Sequence, residues 1–99
     1  MNMQALMAQA QKMQKDIMKK KEEINNKTYT EKNELVEVVF NGKKEMVSLT
    51  ILNKESLSVE DIEVLEDMIK IAVKNCLGQI DKDINEKLGS YANQLNGLI

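Results

Sequence analysis

Two long runs of this chain repeat their apolar residues every three or four positions, and one short β-like segment is all that separates them. The first run carries Met3, Leu6, Ala10, Met13, Ile17 and Ile24, the spacing of a coiled-coil seam with Lys20 as its only break. The second carries Ile62, Leu65, Ile69, Val73, Cys76, Ile80, Ile84 and Leu88. Asn25 and Asn26 predict the end of the first helix, because asparagine competes with the helical backbone through its own side chain. Ser58, three residues before Asp61, predicts the start of the second, and the acids that follow suit the positive end of the helix dipole. At 1.5 Å per residue the second helix is about 45 Å long, more than a small sheet can cover. The remaining seam must meet the other helix or another chain, and a homodimer is the simplest solution.

The intervening segment reads as three short strands. Residues 27–33 have edge-strand content, whereas 35–40 alternate Val36, Val38 and Phe40, and 45–51 alternate Val47, Leu49 and Ile51. Asn41-Gly42 between the last two suits a turn with positive φ and predicts a hairpin over 35–51. The fold class is therefore α+β in one domain, 1–99: a long N-terminal helix (1–26), a small three-stranded antiparallel sheet (27–52), a long C-terminal helix (58–88) and a partly helical tail (89–99). Leu6, Met13, Ile17, Val36, Val38, Phe40, Val47, Leu49, Ile69, Val73 and Cys76 are the candidates for the core and the dimer contact. With 3% aromatic residues, aliphatic side chains and methionine must fill that core.

Charge is unevenly spread. The chain has a formal net charge of -2, yet residues 1–27 hold six lysines against three acids, and the rest eight lysines against thirteen acids. Lys12, Lys15 and Lys19 recur on the side of the first helix away from its seam, with Lys20 and Lys21 beside them, which points to a polyanionic partner for this end. The chain has no histidine and one cysteine. Without a glycine-rich phosphate loop either, the usual nucleophile–base pairs and zinc sites have no residues to form from, so no enzyme, cofactor, metal or small-molecule substrate is expected. No apolar run approaches the roughly 20 residues that span a bilayer, and a cytoplasmic protein with no membrane partner is expected.

Three stretches together resemble the YbaB/EbfC nucleoid-associated DNA-binding proteins. They are Met7-Ala8-Gln9-Ala10-Gln11-Lys12-Met13-Gln14 with Glu22-Glu23-Ile24; Leu35-Val36-Glu37-Val38 leading to Asn41-Gly42; and Glu63-Val64-Leu65-Glu66-Asp67-Met68-Ile69 followed by Ala72 and Asn75. The resemblance implies an intertwined, tweezer-like homodimer whose helices project from a joined β region. It also implies double-stranded DNA as partner, a place in the nucleoid, and a part in nucleoid organisation, gene regulation or DNA repair. Two departures stand out: Thr30–Glu34 replaces a glycine-rich connection, and the C-terminal tail that contains proline and glycine is missing. For such a protein Lys12, Lys15, Lys19, Lys20 and Lys21 would meet the phosphates. All fourteen basic residues are lysine, so the bidentate arginine contacts that read guanine are absent and sequence preference should be slight. Aromatic platforms for single strands are few, namely Tyr29, Phe40 and Tyr91. The competing reading is a prefoldin-type assembly or chaperone, which shares the order helix, hairpin, helix and binds no DNA.

Overall fold

A computed structural model describes residues 2–89. The elements run α1 (Met3–Asn26), β1 (Thr28–Lys32), β2 (Val36–Asn41), β3 (Met46–Ile51), two single 3-10 turns (Lys54–Ser56 and Val59–Asp61) and α2 (Ile62–Leu88). The expected tail lies outside the described residues, save Gly89. Asn2 starts α1 by accepting a hydrogen bond from the Gln4 amide at 3.1 Å. The helix stops after the paired asparagines, where Lys27 turns extended. At the other end of the chain, Asp61 accepts from the Ser58 amide at 2.9 Å and from its hydroxyl at 3.1 Å, and so fixes the entry to α2.

The three strands form an antiparallel sheet in the order β1-β2-β3. Tyr29 faces Phe40, and Val36 and Val38 face Ile51 and Leu49. The link between β1 and β2 is shorter than the Thr30–Glu34 stretch the sequence suggested, since Thr30 to Lys32 belong to β1. Asn33 organises that link: its side-chain oxygen accepts from the Leu35 and Val36 amides, both at 3.0 Å, while its amide group donates to the Met68 carbonyl of α2.

One face of β1 and β2 packs on α2, burying Tyr29, Val36, Val38 and Phe40 against Leu65, Ala72, Cys76 and Ile80. Ile69 and Val73 are half-buried at its margin. A second, smaller cluster of Ile17, Ile24 and Leu88, joined by Met13 and Ile84, holds α1 to the far end of α2. Each fully buried aliphatic side chain of this kind contributes about 1.5–3 kcal/mol. Cys76 is wholly buried, donates to the Tyr29 carbonyl at 3.3 Å, and has its thiol pKa pushed up chiefly by burial.

Three of the expected core residues lie open in the single chain. Val47 and Leu49 on β3 are exposed at 58% and 38%, and Leu6 on α1 at 48%. For Leu49 the reason is width: a helix about 10 Å across covers two strands spaced about 4.8 Å apart, not three. For Val47 it is register, because the pairing shifts between Val39 and Phe40, which pairs with Met46, and takes Val47 out of the inward row. Leu6 lies about three turns before Ile17, the first buried residue of α1. The molecule is accordingly a rod, 71 × 19 × 17 Å.

The hairpin turn also differs from the sequence expectation. Positive φ falls at Lys44 (66°), and Gly42 is in an ordinary conformation. Asn41 opens a turn closed by Lys44 N–H to its carbonyl at 3.0 Å, and its side chain accepts from the Lys43 amide at 2.9 Å. This is a three-residue loop with one left-handed position. Glycine is needed at 42 for a different reason: a Cβ there would lie 1.7 Å from the Ile24 carbonyl oxygen. The hairpin turn is seated directly on the last turn of α1.

Candidate nucleic-acid interface

Successive residues of an α-helix are rotated by about 100°, so the directions of the five expected lysines follow from the length of α1. Lys12, Lys15 and Lys19 fall within a sector of about 60°, on the far side from Ile17 and Ile24. All three are exposed, and among the described residues none of them is in an ion pair. Lys12 and Lys19 are about 10 Å apart along the axis, comparable with three phosphate steps of one DNA strand. Because the other described elements pack on the opposite side of α1, a long straight ligand can lie along this row.

Lys20 and Lys21 do not join the row. The Lys20 ammonium lies 3.4 Å from Asp16 one turn earlier, about 110° round the helix from the middle of the row, and the residue is half-buried. Lys21 is exposed but lies about 150° round the helix from the middle of the row, on the seam side. The sequence grouped all five by adjacency, whereas the helix separates them by direction.

Three other lysines are held in ion pairs. Lys44 in the hairpin turn lies 2.7 Å from Asp81 of α2. Lys27 and Lys87 both approach Asp83, at 3.0 and 3.5 Å. The Tyr29 hydroxyl donates to the same carboxylate oxygen at 2.5 Å, and the Lys27 ammonium lies 5.0 Å from the centre of the Tyr29 ring. The Tyr29 hydrogen bond, opposed by burial and assisted by the two lysines, lowers the Asp83 pKa. Burial foremost, and then Asp83, raises that of Tyr29. This cluster went unnoticed in the sequence, although Asp83 and Lys87 stand at the four-residue spacing of a helical ion pair. Tyr29 and Phe40 are buried and offer no stacking surface, while Tyr91 lies outside the described residues.

The acids at the start of α2 form no metal site: among the described residues no group of three or more His, Cys, Asp or Glu side chains is placed to hold one. No described helix is long and apolar enough to cross a membrane. What these residues offer is an exposed basic row on a projecting helix.

Known proteins point the same way. The model of the YbaB/EbfC DNA-binding family matches residues 1–95. A nucleoid-associated protein of Lactococcus lactis subsp. cremoris (strain MG1363) is 43% identical over 97 residues, covering 96% of this chain and 97% of that protein. Nucleoid-associated proteins of Pelotomaculum thermopropionicum and Enterococcus faecalis are 40% and 36% identical, over 95% and 97% of this chain and 90% and 93% of theirs. An N-terminal helix, a three-stranded antiparallel sheet and a C-terminal helix, matched by one family model over nearly their whole length, leave a single assignment: this chain belongs to the YbaB/EbfC DNA-binding family.

Proposed function

We propose that the protein is a nucleoid-associated homodimer that grips double-stranded DNA by its phosphates, with little sequence preference, and serves nucleoid organisation, gene regulation or DNA repair. The observation that carries this reading is the exposed row of Lys12, Lys15 and Lys19 on the outer side of α1, none of them in an ion pair among the described residues. Lysines near a duplex gain chiefly by releasing condensed counterions, a contribution that is blind to base sequence. Lys20, held toward Asp16, and Lys21, directed to the seam side, contribute less.

The dimer is supported by β3. It is an edge strand with open backbone groups and exposed Met46, Val47 and Leu49. An uncovered apolar edge of this kind is a pairing surface, and a second copy is the partner always at hand. Joining two chains there leaves both α1 arms free to project, so each duplex meets two basic rows.

Gel-shift titrations with unrelated duplexes at several salt concentrations, on protein whose solution mass has been measured, test the reading. Affinity should be nearly independent of sequence and fall with salt at a log–log slope of about -4 to -7, for roughly five to eight phosphates. Replacing Lys12, Lys15 and Lys19 together by glutamate should abolish binding at unchanged dimer mass, whereas Lys20→Gln should change affinity by less than about threefold, as befits one engaged charge. A triple variant that binds as well as the parent would remove the arm from the interface.

A further inference from the structure

The lysines can act together only if their helix is held at one angle, and what holds it lies away from them. Lys27 alone separates the last turn of α1 from β1, so the arm's direction depends on what grips this junction. On one side is the hairpin turn, where Gly42 is seated against Ile24 and its amide donates to the Lys27 carbonyl at 3.1 Å. On the other is Asp83 of α2, whose Oδ2 receives the Tyr29 hydroxyl at 2.5 Å and the Lys27 ammonium at 3.0 Å, with Lys87 at 3.5 Å. The Asp83 side chain is only 14% exposed. The apolar contact of Ile17 and Ile24 with Leu88 is non-directional and permits rolling and tilting; charge-assisted hydrogen bonds to one oxygen are directional.

We infer that Asp83 is a positioning residue for DNA binding: its carboxylate ties the root of the α1 arm to α2 and thereby sets the angle at which the lysine row is presented. This rests on the duplex-binding reading above. Leverage makes the latch matter. The 24-residue arm is about 36 Å long, so a tilt of about 10° at its root displaces the tip by roughly 6 Å. That is the length of nearly two phosphate steps. An arm that adopts the competent angle for a tenth of the time loses about tenfold in apparent affinity.

The test separates arm geometry from DNA binding. Gln9→Cys on the arm and Asn75→Cys on α2, both exposed positions, carry spin labels, with labelled chains diluted into excess unlabelled protein; Cys76 is fully buried and stays unmodified. The parent should give one narrow distance distribution by pulsed electron resonance. Asp83→Ala should broaden it and weaken duplex binding about tenfold while preserving dimer mass, helix content and the salt slope, since every lysine remains. Asp83→Glu should recover both the narrow distribution and the affinity, which a merely structural defect would not predict. Should Asp83→Ala fail to fold, Asp83→Asn and Tyr29→Phe carry the same measurements with smaller expected effects. A distribution as narrow as the parent's, or a broadened arm with undiminished affinity, overturns the inference. A parent that binds no duplex even at low salt overturns the DNA reading itself and the positioning role with it, and the distances then report only whether the latch exists.

Discussion

Gly42→Ala is the smallest change that opposes two elements of this fold. The added methyl would lie 1.7 Å from the Ile24 carbonyl oxygen, 2.3 Å from its carbon and 2.9 Å from the Asn25 Cα. All three are backbone atoms of the last turn of α1, so no side-chain rotation relieves the overlap. A normal carbon–oxygen contact requires the turn and the helix to separate by about 1.5 Å, since non-bonded heavy atoms rest about 3.5 Å apart and part of the difference is taken up sideways. Overpacking of this kind costs about 1–3 kcal/mol, and separation loses the Gly42–Lys27 hydrogen bond, worth about 1 kcal/mol more. The reduced entropy of the unfolded chain returns about 0.4–1 kcal/mol. The net expectation is a loss of about 2–3 kcal/mol, or a Tm lowered by roughly 10–20 °C for a domain of this size. Urea unfolding followed by circular dichroism, at one fixed protein concentration, measures it. A variant within about 0.5 kcal/mol of the parent, the range of ordinary surface substitutions, would refute the seating of the hairpin turn on α1.

The other interior glycine should respond with the opposite sign: Gly78→Ala, in the exposed middle of α2 where a Cβ would meet nothing within 4 Å, should stabilise by about 0.8–1 kcal/mol in the same urea assay. A loss of stability or of the dimer there would instead reveal a close neighbour from the second chain. Asp83 has its pKa lowered from the ordinary 3.8, so its contribution is present above that value and is lost as pH falls from about 4 through the lower folded value. The stability gap between the parent and Asp83→Asn should therefore be widest above pH 5 and close on acidification, measured by urea unfolding between pH 2 and 7; a gap constant across that range contradicts the charge-based latch. Leu49→Asp on exposed β3 should leave the fold of each chain intact but yield a single-chain mass by light scattering, with the salt slope of DNA binding roughly halved because one arm replaces two. An unchanged dimer would place the second copy elsewhere.

The helices were the most legible part of the sequence because their signal is redundant. Eight apolar residues from Ile62 to Leu88 keep one period, and a local exception cannot erase it. The hairpin was legible from alternation in 35–40 and 45–51, but the part played by its glycine was not. Asn41-Gly42 suggests positive φ at the tip, while the actual left-handed residue is Lys44 and the glycine answers to a helix some eighteen residues earlier in the chain. Nothing local in a sequence records such a long-range approach. Val47 and Leu49 mark the same boundary: alternation gave the face of Leu49, yet whether that face is covered depends on how many strands one helix spans. On α1, spacing put Lys12, Lys15 and Lys19 in a row opposite the seam, and there they are exposed. Adjacency then drew in Lys20 and Lys21, which the helical rotation directs elsewhere.

An acidic chain in a DNA-binding family is consistent once distance is considered. Field strength at the arm depends on nearby charges, because exposed charges are screened beyond about 8 Å at physiological ionic strength. Of the sixteen acids, three stand on α1 itself, Asp16, Glu22 and Glu23, and the densest group, Glu60, Asp61, Glu63, Glu66 and Asp67, is at the start of α2. Leu88, beside Ile17 of the arm, is separated from Asp67 by 21 residues of continuous helix, about 30 Å. The carboxylates at the start of α2 lie nearly four screening lengths from the lysine row and do little to weaken it. The rod shape thus allows one end to be cationic while the whole is anionic. The same separation disfavours the approach of a polyanion at the acidic end. Net charge describes how such a protein behaves in bulk solution; the charge presented locally along α1 is set by which of its side chains point outward.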